Sequence, residues 1–127
     1  MSKYDSIFKA IGDEKRLKLL LLIIKGGKEY YVCELTYAMG ENQYNISKYL
    51  RELKLAGLLK ERKIGRGVLY SLENGDEFNN RLFALLNGIP NEYIKDAIIR
   101  LNYVVSNRAN DQCVNIAKLD NIKSKFN

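Results

Sequence analysis

The sequence predicts a mainly α fold with a single small β-hairpin, and three observations carry that expectation. Apolar residues recur at helical spacing from Ile7 to Leu53 and again from Phe78 to Val105. Glycines or proline interrupt that periodicity at Gly12, Gly26-Gly27, Gly40, Gly57 and Gly88 with Pro90, which divides it into helix-length pieces. Between the two helical regions, Leu58 to Lys63 and Val68 to Leu72 have strand character on either side of Ile64-Gly65-Arg66-Gly67, whose glycines suit a hairpin turn with a protruding arginine. A short helix, a glycine turn, a second helix and a hairpin follow one another in the order of a winged helix-turn-helix, with additional C-terminal helices.

Each element has its own justification. Ile7, Phe8 and Ile11 lie on one helical face, and Gly12 ends that helix. Asp13 is positioned as the N-cap of the next, with Glu14 in the first turn where a negative charge suits the helix dipole. Leu17 to Ile24 is expected to be the most buried stretch, and Lys25-Gly26-Gly27-Lys28 stops it. A third helix, about Val32 to Met39, turns Val32, Leu35 and Met39 inward, and Gly40 supplies the positive φ of a tight exit. Asn42 caps a fourth helix whose inward stripe is Ile46, Leu50 and Leu53. Beyond the hairpin, Glu77 to Asn87 reads as an amphipathic helix around Phe78, Leu82, Leu85 and Leu86. A second pattern follows at Ile94, Ala97, Ile98, Leu101 and Val105.

The chain has 127 residues, one domain's worth, and 46% hydrophobic content is enough for a packed core. Its longest apolar run, Leu19 to Ile24, is far shorter than the ~20 residues a bilayer requires, so no membrane partner is expected. The first residues lead into an amphipathic pattern without the apolar region of an export signal, which predicts a cytoplasmic protein. The formal charge is +6, and its placement says more than its size. Residues 47–67 hold seven basic side chains against two acidic ones, whereas residues 1–46 sum to +1 and residues 68–127 to zero. The excess therefore sits on the fourth helix and the hairpin, a footprint for a polyanion. A solvated lysine-rich surface would leave the same total, but not the coincidence with a helix-turn-helix pattern.

Double-stranded DNA is the polyanion this arrangement fits. A helix in the major groove reads adenine with Gln or Asn and guanine with Arg or Lys. Gln43, Asn45, Ser47 and Lys48 are the candidates for base or near-base contact, and Tyr44 for a thymine methyl or a phosphate. Arg51, Lys54, Lys60, Lys63 and Arg66 are expected mostly to neutralise phosphate, with Arg66 placed to enter the minor groove. One such module contacts few base pairs, so a homodimer is expected, its half-sites about one helical turn apart. Ile7, Phe8 and Ile11 in front, with Ile94, Ile98, Leu101 and Val105 behind, are the candidate seam; the competing use of the same residues is an intramolecular bundle. Residues 1–75 would then form the DNA-binding unit, 76–106 the dimerisation helices, and 107–127 a polar tail or loosely docked helix.

Several words of the sequence, in order, resemble the ArsR/SmtB family of winged-helix transcriptional repressors. They are Phe8-Lys9-Ala10-Ile11-Gly12-Asp13, Arg16-Leu17-Lys18-Leu19-Leu20, Val32-Cys33-Glu34-Leu35, Ser47-Lys48-Tyr49-Leu50 with Leu53, Ala56-Gly57-Leu58-Leu59, and Gly67-Val68-Leu69-Tyr70-Ser71-Leu72. The resemblance covers Ile7 to Leu72 and implies a homodimer that binds operator DNA under the control of an inducer. It also marks departures. Where the family's arsenic and cadmium sensors carry Cys-Val-Cys, this chain has Tyr31-Val32-Cys33. It contains no histidine, which removes the family's histidine-based metal site, and Tyr49 stands where a histidine is common in the recognition helix.

Cys33 and Cys113 are the two cysteines and the sole thiol or soft-metal candidates. One thiol at each place is too few for a closed four-sulfur zinc site within a subunit. The plain expectation is free thiols and no cofactor, with Cys33 acting as a small, partly buried residue and Cys113 as an incidental tail thiol. A soft-metal or metalloid site shared across a dimer, and a reversible disulfide between the two, are the functional alternatives. No histidine, phosphate-cradling glycine motif or nucleophile paired with a base argues for an enzyme. The competing binding function is a winged-helix module for protein contacts, which would leave the basic excess scattered.

Overall fold

The structure, a computed structural model, describes residues 2–108. Cys113 and nearly all of the expected tail lie outside the described residues. Helix α1 (Lys3–Ile11) opens with a capping box: the Ser2 hydroxyl accepts the Asp5 amide, while the Asp5 carboxylate accepts the Ser2 amide. Helix α2 (Glu14–Gly26) is capped by Asp13, which accepts the Arg16 amide at 3.0 Å, and it ends at Gly27 in the left-handed region with φ 69°. Leu19 to Ile23 are buried without interruption, so this helix is surrounded on every side and forms the axis of the core.

Tyr30–Tyr31 form a short strand, β1, that leads directly into α3 (Val32–Met39). Within α3, Leu35 and Ala38 are buried as apolar residues and Glu34 as a charged one, while Val32 and Met39 are half-buried at its ends. Gly40 takes φ 65°, as its place after a helix requires, and α4 (Gln43–Leu55) starts after Asn42, whose side chain accepts the Asn45 amide at 2.8 Å. Ile46, Leu50 and Leu53 are fully buried, a stripe that contributes roughly 1.5–3 kcal/mol per side chain to docking α4 on α2.

Strands β2 (Leu59–Ile64) and β3 (Gly67–Leu72) form the expected antiparallel hairpin, closing through Gly65 and Arg66 with Ile64 opposite Gly67. The sheet has a third member that the sequence reading missed. Tyr30 pairs with Tyr70 and Tyr31 with Leu69, giving the order β1-β3-β2. Two residues are too few to display alternation, and the partner lies about forty positions away. Helix α5 (Glu77–Asn87) is capped by Asp76, and its buried Asn79 donates to the carbonyls of Gly57 at 2.8 Å and Glu73 at 3.0 Å, which ties the base of the hairpin to α5. A single 3-10 turn (Asn91–Ile94) after Pro90 reverses the chain into α6 (Lys95–Ser106), which packs along α3.

That packing corrects part of the expected dimer seam. Ile7, Ile94 and Leu101 lie within this chain's own core, each no more than 5% exposed, because α1 and α6 both cover α2 and α6 also covers α3. Ile11, Ile98 and Val105 are half-buried against the same core, and Phe8 alone of the seven is well exposed. Among the apolar side chains that do reach solvent, Tyr4 and Phe8 belong to an aromatic patch between α1 and α5. There the Phe78 ring meets Tyr4 edge-on at 4.9 Å between centroids and Phe8 at 6.4 Å.

Candidate nucleic-acid interface

Helix geometry sorts the outward residues of α4 into three rows. Directly opposite the buried stripe stand Tyr44, Lys48, Arg51 and Leu55, at i, i+4, i+7 and i+11. All four are exposed, Tyr44 to 78% and Leu55 to 75%, which is unusual for side chains of their apolar area. On one flank Gln43, Ser47 and Lys54 form a second exposed row. On the other flank Asn45, Tyr49 and Glu52 are half-buried. Asn45 differs from its predicted companions: its amide nitrogen donates to Glu41 Oε1 at 3.0 Å, and Glu41 is also paired with Lys15 of α2 at 3.2 Å. The hydrogen bond from Asn45, then that from Lys15, holds the Glu41 carboxyl below the ordinary carboxylate value. Asn45 thus fastens the start of α4 to its own turn.

Two more ties fix the helix. Arg16 in the first turn of α2 reaches two other elements, α4 and α1: Nη1 pairs with Glu52 of α4 at 2.6 Å, Nε donates to the Ala10 carbonyl at 2.7 Å, and Nη2 donates to the Lys9 carbonyl at 3.1 Å. It closes the end of α1 against α4, a role that no local pattern announced. At the other end, Lys54 Nζ pairs with Glu61 of β2 at 2.7 Å and lowers that carboxyl's pKa. The last turn of α4 is thereby joined to the first strand of the hairpin, bringing together two groups that the sequence placed on one surface.

On the hairpin itself, Lys60, Lys63 and Arg66 are exposed. Arg66 occupies the two-residue turn beside Gly65, whose φ of 57° favours glycine. Arg62 behaves otherwise. Its guanidinium grips Glu29 bidentately, Nη2 to Oε1 at 2.9 Å and Nε to Oε2 at 3.0 Å, and so braces the hairpin against the loop before β1. Lys48, Arg51, Lys63 and Arg66 form no ion pair among the described residues. The module therefore presents four exposed cations that no carboxylate among the described residues neutralises.

Residues 13–61, the span from the cap of α2 into β2, match the profile of the family described as "Bacterial regulatory protein, arsR family". Over 98 residues the chain is 36% identical to the arsenic resistance transcriptional regulator ArsR1 of Pseudomonas putida, a match covering 75% of this chain and 74% of that one. The chain belongs to the ArsR family. It is also 42% identical over 66 residues to the arsenical resistance operon repressor of Escherichia coli, covering 52% of this chain and 56% of that protein. Among solved structures it is similar to the homodimeric winged helix-turn-helix DNA-binding domain from Mycobacterium bovis, at 31% identity and a TM-score of 0.58 over 71% of this chain and 80% of that one. Reduced HlyU from Vibrio cholerae is similar at 28% identity and a TM-score of 0.57, over 66% and 84% of the two chains. As an ArsR-family protein with a winged helix-turn-helix, the chain is a DNA-binding transcriptional regulator and not an enzyme.

In this ArsR-family chain the thiol expectation needs correcting. Cys33, half-buried in the first turn of α3, is disulfide-bonded and not a free thiol. Among the described residues no three His, Cys, Asp or Glu converge as a cation site, and no helix is long and apolar enough to cross a membrane.

Proposed function

We propose that the protein acts in the cytoplasm as a homodimeric repressor, reading operator DNA with α4 and the β2–β3 wing. The supporting observation is that α4 and the wing both expose cations, Lys48 and Arg51 on the helix and Lys60, Lys63 and Arg66 on the wing, and that the two elements are joined through Lys54 and Glu61. In this reading Gln43 and Ser47 contact base edges, Tyr44 lies against a thymine methyl or phosphate, and Lys48, Arg51, Lys60, Lys63 and Arg66 engage phosphate. Lys54 serves the backbone while bridging to the wing, and Asn45 shapes the start of the helix. Residues 1–75 carry recognition. Within 76–106, α5 joins α1 in the dimer seam through Tyr4, Phe8, Phe78 and Leu85, while α6 buttresses α3. The homodimeric state of the M. bovis domain supports dimerisation.

Regulation in this reading is thiol-based. Tyr31 leaves the region one cysteine short of the Cys-Val-Cys word, so arsenite or cadmium lacks a ready pair of neighbouring thiolates, even though the relatives' names concern arsenic resistance. Reversible oxidation of Cys33 with Cys113 is the chemistry left: two thiols lose two protons and two electrons to an oxidant such as peroxide, and one S–S bond forms. The test is duplex binding by the reduced and peroxide-treated protein, alongside Cys33→Ser. A redox-dependent affinity in the parent that vanishes in the variant supports the reading. Equal affinity in both redox states, with a response to arsenite or cadmium, replaces oxidation with metalloid sensing.

A further inference from the structure

Among the described residues one acidic side chain is fully buried. Glu34 in α3 is fully buried, and one of its oxygens caps its own helix by accepting the Tyr31 amide at 2.9 Å. Arg108, just past the end of α6, meets both carboxylate oxygens: Nε to Oε2 at 2.8 Å and Nη2 to Oε1 at 2.5 Å. The same Nη2 donates to the Glu29 carbonyl at 3.1 Å, and the guanidinium lies over the Tyr31 ring, 5.3 Å from its centroid. One side chain thus holds residues 29, 31 and 34 together.

Two of those three residues reach the wing. The Glu29 carboxylate is the one gripped by Arg62 on β2. The Tyr31 ring covers Gly67 at the start of β3 so closely that a Cβ there would lie 2.7 Å from Cε1. Tyr31 is also strand-paired with Leu69. Both strands of the wing are therefore fixed to a segment that is itself fixed by Arg108, whereas α4 is secured to α2 through Lys15 and Arg16 and meets the wing through the Lys54–Glu61 pair.

We propose that Arg108 is a positioning residue for the wing: by clasping Glu34, Tyr31 and the Glu29 carbonyl, it makes the angle of β2–β3 depend on the docked state of the chain at the end of α6. This rests on the reading that the wing engages DNA. The clasp needs a planar, forked donor, since a lysine ammonium cannot bond both Glu34 oxygens in parallel and the Glu29 carbonyl as well.

The experiment uses the full-length chain and compares the parent with Arg108→Gln, Arg108→Lys and Glu29→Gln. Amide hydrogen exchange is read separately in the wing, residues 59–72, and in α4. Duplex DNA affinity is measured in parallel. Both Arg108 variants should accelerate exchange in the wing while α4 keeps its protection. DNA binding should weaken by about 2- to 30-fold, the range for residues that couple to a site without touching the ligand. Glu29→Gln removes the charged link to Arg62 and leaves the buried Arg108–Glu34 pair intact, so it should loosen β2 even if an Arg108 variant fails to fold. Unchanged wing exchange in Glu29→Gln and in every Arg108 variant that folds, or acceleration spread evenly over α3, α4 and the wing, overturns the proposal. Arg66→Ala separates the two claims: if it leaves DNA affinity unaltered, the wing's role in binding fails, while the exchange data still decide the clasp.

Discussion

Two sets of cationic side chains occupy this small domain, and they differ in what faces them. Arg16, Arg62 and Arg108 each engage a carboxylate, and Arg16 and Arg108 also engage backbone carbonyls, with partners 36, 33 and 74 positions away respectively. Lys48, Arg51, Lys63 and Arg66 stand exposed on α4 and the wing with no ion pair among the described residues. The first set orders the scaffold and the second faces solvent. Net charge cannot separate them, because Arg62 and Arg66 lie four residues apart in the same basic run. What separates them is whether a carboxylate has been provided within the fold.

The sharpest way to break this comparison is to remove the unpartnered set. Replacing Lys48, Arg51, Lys63 and Arg66 together by alanine should abolish duplex binding at physiological salt while leaving thermal stability nearly unchanged, checked by fluorescence anisotropy and a melting curve. Next in size is the scaffold set: Arg16→Gln should cost about 1.5–3 kcal/mol of folding free energy in a urea titration, since it weakens charged hydrogen bonds at a part-buried site. Gln43→Ala should lose roughly 1–3 kcal/mol on the preferred operator and much less on unrelated duplexes, whereas an equal loss on both would make Gln43 a backbone contact. On the opposite face, Phe8→Glu should shift sedimentation from dimer toward monomer without altering the helical circular dichroism.

The smallest expected effect is that of acid. Glu29, Glu41 and Glu61 each have a carboxyl held below the ordinary 4.5, chiefly by hydrogen bonds from Arg62, Asn45 and Lys54 respectively. A depressed carboxylate stabilises the folded state fully above its unfolded value, and that contribution is lost as pH falls through the lower folded value. All three are close to solvent, so the denaturation midpoint should be flat from pH 7 to about 5 and decline only modestly below 4.5.

The parts of the fold that the sequence announced were those governed by neighbours. Asp13 and Asn42 cap the helices they precede, Gly40 takes the left-handed conformation, and Ile46, Leu50 and Leu53 form the buried stripe of α4. The parts it hid depend on distant partners. Tyr30–Tyr31 become a strand only because β3 is there to pair with them. Asn79 looks like any polar helix residue until Gly57 and Glu73 turn their carbonyls toward it. Ile94 and Leu101 showed a correct amphipathic period, but period alone does not distinguish a face covered by α3 from one left for a second copy. At the interface, exposure of Gln43, Tyr44, Lys48 and Arg51 follows from helical spacing, whereas the diversion of Asn45 to Glu41 does not.

The most direct test is the salt dependence of duplex affinity in two variants, Lys48→Ala/Arg66→Ala and Arg62→Gln. Each phosphate contact contributes about 0.9 to the slope of log affinity against log salt, so losing two should flatten it by about 1.8. Arg62→Gln, which removes a cation already held by Glu29, should leave the slope where it was. An unaltered slope in the double variant, or a larger change on losing Arg62, would contradict the division between cations that build the domain and cations that meet DNA.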